Sequence, residues 1–196
     1  MTTSEISINR ALIFAFALFL LLTGQAYTQV GFVRLSVRKN EKRDQRTTYQ
    51  NESGTYRQQQ IKKTVSYSIE VQNASAAAFH GLVVKWTVLY DSSRAEAHGN
   101  GGSTSWSEGG LKIIDGERSS DLGVGQRLAF ETDSVDISSV TTGNATTTQR
   151  NQYGGDIRGY CVEVLLDGKV LASEIQPPDT KSRIAQVKAK MEKEKK

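Results

Sequence analysis

The segment TVSYSIEVQN (64–73) constrains this chain more than any other. Val65, Tyr67, Ile69 and Val71 alternate with Ser66, Ser68, Glu70 and Gln72. Only an extended strand sends successive side chains to opposite faces, so strict alternation specifies a strand with one buried and one wet face. The same period recurs. QVGFVRLSVRK sets Val33, Leu35 and Val37 against Arg34, Ser36 and Arg38. GLVVKWTVLYD sets Leu82, Val84, Trp86, Val88 and Tyr90 against Val83, Lys85, Thr87 and Leu89, and its higher apolar content marks a central strand. LKIID is a short strand candidate ending at Asp115-Gly116. In GQRLAFETDSVDIS, Leu128, Phe130 and Thr132 share one parity and Val135 and Ile137 the other, so a one-residue slip near Asp133-Ser134 predicts a β-bulge.

The stretch GYCVEVLLDGKVLASEI (159–175) predicts a closing hairpin, because Asp167-Gly168 between two strand-like runs fits a type I′ turn. A two-residue loop pairs Leu166 with Lys169, Val164 with Leu171, Val162 with Ser173 and Tyr160 with Ile175. That register turns Tyr160, Val162, Val164, Leu171 and Ile175 to the core. It leaves Cys161 on the far face beside Glu163 and Glu174, since a shift by one would bring Ala172 and Glu174 inward. Cys161 is the chain's single cysteine, so no internal disulfide is possible, though pairing with another chain is.

Between the strands lie polar stretches at 40–63, 92–110 and 141–156. The first is basic and Gln-rich, with an edge strand expected around Tyr56–Ile61; the other two carry Trp106 and Tyr153. Loops of this length are functional or disordered. Hydrophobic residues make up 37% of the chain, with 17 glycines and two prolines, which suits strands joined by Gly/Ser loops. After Pro177-Pro178 the character changes: Ile184, Val187 and Met191 form a thin apolar seam at helical spacing in a Lys-rich segment, predicting a short basic helix fraying into a disordered tail.

Arg10 followed by the apolar run Ala11–Leu22 and by Gly24-Gln25-Ala26 matches a secretory signal peptide over 1–26. The run is shorter than the ~20 residues of a spanning helix, so no membrane span is expected after cleavage. Retention as an anchor is the alternative. The expected location is periplasmic or extracellular, at the cell surface. The domain expected at 27–178 is followed by the tail at 179–196.

Charge is uneven within a total of +4. Residues 34–63 carry nine Lys/Arg against three acids, and 181–196 carry seven against two, while 64–180 carry eight against fifteen. Two basic ends on an acidic body suit an envelope protein or an anionic surface polymer as partner. Export and the lack of a recognisable module leave no nucleic-acid partner expected.

Strand candidates at sandwich spacing with no helix between them predict an all-β fold, an antiparallel two-sheet sandwich of about seven strands. On YSIEVQN, GLVVKWTVLY, LAFETDSVDI and GYCVEVLLDGKVL, residues 30–176 resemble bacterial secreted immunoglobulin-like and fibronectin type III-like domains of unknown function, some of them associated with type IV pilus-like systems. The resemblance implies an immunoglobulin-like topology. The paired inter-sheet cysteines of antibody domains are missing.

Chemistry is sparse. His98 with Cys161 is the one conceivable nucleophilic pair, but a mid-strand thiol beside carboxylates is poorly activated. Asp115, Glu117 and Asp121, or Asp133 and Asp136, lack a calcium-loop pattern. GNGG and GVGQ are not followed by a Lys-Ser/Thr helix, so neither cradles phosphate; GVGQ reads as a turn launching a strand. Asn51, Asn73 and Asn144 fit the glycosylation triplet. No catalytic, cofactor-binding or metal-binding residue is assigned. The expected function is a secreted non-enzymatic binding or structural module of the cell envelope. A subunit or accessory of a surface appendage or secretion assembly is the alternative, and a hydrolase ranks below both.

Overall fold

The computed structural model describes residues 28–30, 33–50, 56–98, 103–144 and 150–194. The expected signal segment, and with it the question of cleavage or anchoring, lies outside them. Among the described residues are twelve strands in place of about seven, all paired antiparallel, and one helix at the C-terminal end. The strands are β1 (Thr28–Val30), β2 (Val33–Gln50), β3 (Tyr56–Asn73), β4 (Phe79–Asp91), β5 (Arg94–Ala97), β6 (Thr104–Ser107), β7 (Leu111–Leu122), β8 (Arg127–Glu131), β9 (Val135–Asn144), β10 (Arg150–Gly154), β11 (Asp156–Leu166) and β12 (Lys169–Gln176). The helix, α1, is Thr180–Glu194. One sheet runs β1-β2-β3-β9-β10, with β8 also on β3; a second runs β12-β11-β4-β7; β5 and β6 form a separate ribbon. No described helix is long and apolar enough to cross a membrane.

The expected alternation appears as packing. Val33, Leu35, Ile69 and Val71 from the first sheet meet Leu82, Val84, Val162 and Val164 from the second in one buried cluster. A smaller cluster continues it through Val65, Tyr67, Val88, Val135 and Ile137. Trp86 packs on Phe130 with ring centroids 5.1 Å apart.

β8 and β9 pair with the same strand, β3, on either side of the expected bulge. Phe130 lies opposite Ile69 and Val135 opposite Val65, so one extra residue is accommodated between them. Thr132 fills the gap. Its N–H donates to Tyr67 O at 2.9 Å, and its hydroxyl accepts from Tyr67 N at 3.0 Å. The ladder across the bulge thus loses no hydrogen bond from β3.

The hairpin β11–β12 turns at Asp167-Gly168, both with positive φ, but its register departs from expectation. Leu166 pairs with Lys169 and Leu165 with Val170; a bulge then places Val164 opposite Ala172 and Val162 opposite Glu174. Ala172 and Glu174 therefore face the core and Ile175 faces outward, reversing the expected assignment of those three, while Leu171 packs on the core cluster as expected. The physical reason is α1. It covers the outer face of this sheet, where Ile184 and Val187 bury Leu89 and Cys161 with Ile113 and Ile175 packed alongside. Both faces are occupied, so an outward Ile175 gains burial, and the inward Glu174 finds a hydrogen-bond partner.

The basic 40–63 stretch forms the distal halves of β2 and β3. Pairing is continuous from Val33–Asn73 to Gln50–Arg57, with one irregularity between Thr47 and Tyr49. This distal arm presents no apolar alternation, and although Ile61 and, on the paired strand β9, Val140 are buried, polar contacts do much of the holding.

Candidate functional site

The arm is held by amide side chains. Gln60 Nε2 donates to Ala95 O at 3.0 Å, and Gln60 Oε1 accepts from Ala97 N at 2.8 Å. One carboxamide thus supplies both an acceptor and a donor to strand β5, as a neighbouring peptide group would. Gln58 is fully buried. Its Nε2 donates to Ser103 O at 3.0 Å and to Thr104 Oγ1 at 2.6 Å, taking hold of the second strand of the ribbon. Ser138 Oγ donates to Ala95 O at 3.0 Å. Gly154 permits the close approach: it has φ of +103°, and a Cβ there would meet Ser138 O and the Ala95 side chain.

These bonds seat the β5–β6 ribbon on β3 and β9, with β10 running beside both ribbon strands. The polar stretches around Trp106 and Tyr153 therefore converge on one end of the molecule. Trp106 is 57% and Tyr153 42% exposed, high values for side chains of that size. At the base of the ribbon is a groove of about 370 Å³ lined by Tyr90, Asp91, Ser93, Lys112 and Asp136. Next to it lies a second depression carrying Lys62, Lys63, Arg94 and Glu96. This end combines exposed rings, backbone-bonded amides and cationic side chains, a composition that suits recognition of a polar or anionic partner.

The other candidates scatter. His98 lies at the end of β5, exposed, with Nε2 3.0 Å from Ser105 Oγ. Cys161 sits beneath α1 on the outer face of the second sheet, so the two belong to different elements and different surroundings. Burial pushes the Cys161 thiol up, and Glu163 adds to the rise; Lys181 and Lys188, which α1 brings near, pull the other way but less. Glu174, expected beside the cysteine, is on the opposite face. A thiol held protonated is a weak nucleophile.

Asp115 pairs with Lys188 at 3.0 Å and Glu117 with Lys85 at 3.7 Å. Asp121 accepts from Gly81 N at 2.8 Å and lies 3.4 Å from His80 Nδ1; the Gly81 N–H, then the imidazole, hold its carboxyl below the usual range. Asp136 accepts from Thr64 Oγ1 at 2.7 Å. Among the described residues no three His, Cys, Asp or Glu side chains come together as a metal would require. GVGQ forms the turn before β8, closed by Gly123 N donating to Gln126 Oε1 at 2.8 Å. Asn73 is buried and organises another turn, its Nδ2 donating to Ala77 O at 2.8 Å and Leu122 O at 3.0 Å, so it is closed to a glycan in the folded chain. The Asn51 and Asn144 side chains lie outside the described residues.

Besides the Gln58 and Gln60 network, sequence reasoning missed a second polar feature. Tyr160 Oη donates to Glu174 Oε1 at 2.5 Å, and the Tyr67 ring packs on Tyr160 at a tilt of 47° with centroids 4.7 Å apart. Burial raises the Glu174 carboxyl above its ordinary range, against the pull of the Tyr160 hydroxyl and of the Val37 backbone N–H. Burial likewise pushes the Tyr67 phenol up to about 12. The available signal was the Glu174/Ala172 parity in the hairpin, which one bulge inverts.

No family model matches this chain, and no curated protein does. Among solved structures the similarities are low. One is to the X-ray structure of a structural-genomics target, SoR45, at 12% identity and a TM-score of 0.29, covering 74% of this chain and 88% of that one. Another is to the Pseudomonas fluorescens alkylpurine DNA glycosylase AlkC bound to DNA containing an abasic site analog, at 15% identity and a TM-score of 0.24, covering 71% of this chain and 29% of that one. Neither likeness bears on this chain's activity.

Proposed function

We propose that this chain is a non-enzymatic binding or structural module of the cell envelope, exported by its N-terminal apolar segment and built as an immunoglobulin-like sandwich. One observation carries the reading: the β5–β6 ribbon and β10 meet on the distal arm of the first sheet, leaving Trp106 and Tyr153 exposed at the same end. The ribbon is fixed by Gln58, Gln60 and Ser138, so the aromatics stand on a braced surface, and a rigid anchor loses little entropy on binding. The partner class is an envelope protein or an anionic surface polymer, in keeping with Lys62, Lys63 and Arg94 nearby.

The test is capture from envelope extract on immobilised residues 27–196, compared with Trp106→Ala, Tyr153→Ala and the double variant. A specific partner lost in the double variant supports the reading; a protein that captures nothing, or captures equally well without both rings, contradicts it. Deleting 180–196 is a poor control, because α1 buries Leu89 and Cys161.

The outer edge of β2 beyond Val37, which pairs with no other strand among the described residues, favours the second reading, a subunit or accessory of a surface appendage or secretion assembly. Light scattering on the mature chain separates the two. A strict monomer that binds no second protein weighs against assembly.

A further inference from the structure

Hydrogen-bond parity along β2 follows from one residue of β3. Tyr67 N and O both bond to Thr132, on the β8–β9 side. Lys39, opposite Tyr67, therefore turns its own N–H and C=O away from β3, as do its neighbours at every second position. Those outward groups meet other parts of the molecule at the start of the strand: Val33 and Leu35 pair with β1, and the Val37 N–H faces the Glu174 carboxylate and pulls its titration down. Lys39, Glu41, Arg43 and Gln45 continue the row, and no described strand pairs with them. The row spans about 20 Å at ~3.4 Å per residue. From Arg38 to Arg46 the strand carries five basic and two acidic residues, all of them exposed to solvent.

We propose that this open edge accepts an extended acidic segment of a partner protein as an added strand. The proposal rests on the reading of the chain as a binding module and names a second surface for it, apart from the ribbon end. Each outward residue offers an N–H and a C=O at two-residue spacing, a pattern that only another strand satisfies in full. A polyanion without peptide groups answers the donors and leaves the carbonyls unmatched. The charge selects the occupant. Two copies of this edge laid side by side bring one basic strand against another, which is repulsive. Lysine and arginine on an edge also deter adventitious pairing with neutral strands, so an acidic strand is the one the edge does not repel.

The experiment is fluorescence anisotropy with the full mature chain and two labelled octapeptides, one alternating Val and Glu, the other Val and Lys, with dextran sulfate as a competing polyanion. The Val-Glu peptide is expected to bind at least tenfold more tightly than the Val-Lys peptide. Gln45→Pro removes an outward N–H and no backbone bond of the β2–β3 ladder, losing only the Gln45 Nε2 bond to Gln59 Oε1 at 2.8 Å, and should weaken binding at least tenfold with an unchanged far-UV spectrum. Arg43→Glu should weaken it by a similar factor and carries the test if the proline variant misfolds. Equal binding of the two peptides, no binding of either, or a Val-Glu complex indifferent to Gln45→Pro and fully displaced by dextran sulfate would overturn the proposal. Self-association of the free chain that Gln45→Pro abolishes would also overturn it, assigning the edge to a second copy. If the peptides fail while capture sensitive to Trp106 persists, the edge is wrong and the module reading stands.

Discussion

The two halves of the β2–β3 hairpin are the same pair of strands held by different chemistry. In the proximal half, Leu35, Ile69 and Val71 are buried against Leu82 and Val84. Burying such a side chain is worth about 1.5–3 kcal/mol, and the contact is non-directional. In the distal half, Gln58 and Gln60 hold a ribbon by hydrogen bonds to its backbone. Each such bond nets only about 0.5–1.5 kcal/mol, yet it fixes position and direction. The proximal half therefore supplies stability, and the distal half supplies geometry at the end where the aromatics stand.

The largest expected effect breaks the proximal half. Leu82→Ala, at a fully buried site, should cost about 2–5 kcal/mol in urea unfolding, through lost burial and the cavity left behind. A cost near zero would mean that the two sheets do not pack as described. Next, Gln58→Ala breaks the distal half alone. It strips Ser103 O and Thr104 of a buried donor, for a cost of about 1–3 kcal/mol. The signature is local, with faster amide exchange at Ala97 and His98 and none at Ile69 or Val84. Global destabilisation instead would show the arm to be part of the core.

Glu174 tests the seam between the halves through pH. Its folded carboxyl titrates above its ordinary value of 4.5. The folded state then holds the proton more tightly than the unfolded chain, so this contribution is present below the unfolded pKa and is lost as pH rises through the folded one. Glu41, Asp91 and Glu131, whose carboxyls are lowered, act in the opposite sense, losing stability on acidification. Comparing wild type with Glu174→Gln cancels those groups. The difference should favour wild type most at low pH and shrink as pH rises. A difference that grows with pH would refute the assignment. The smallest effect is on the surface: Lys188→Ala removes the pair with Asp115 at 3.0 Å between half-exposed groups, and should change stability by less than about 1 kcal/mol.

The same contrast explains what was legible in the sequence. Val65, Tyr67, Ile69 and Val71 announce themselves because burial imprints period 2, and the slip at Asp133-Ser134 shows as a parity change. The distal arm leaves no such mark, since Gln58 and Gln60 look like surface glutamines until a ribbon is placed on them. The hairpin register failed on Glu174. A buried carboxylate weighs against its register unless Tyr160 is known to donate to it, and the apolar cover that α1 gives Ile175 comes from a segment that reads as a tail. The sequence puts Cys161 on the correct face and marks the helix with its Ile184/Val187 seam, but nothing in it says that the seam packs over Cys161.

The central claim is that the distal arm is a formed, braced strand pair whose outer edge, among the described residues, pairs with no other strand. Amide hydrogen exchange along β2 tests it most directly. The account predicts alternation: Asn40, Lys42 and Asp44, whose N–H groups turn to β3, exchange slowly, while Lys39, Glu41, Arg43 and Gln45 exchange fast. Uniformly fast exchange would contradict the braced arm, and uniformly slow exchange would contradict the open edge.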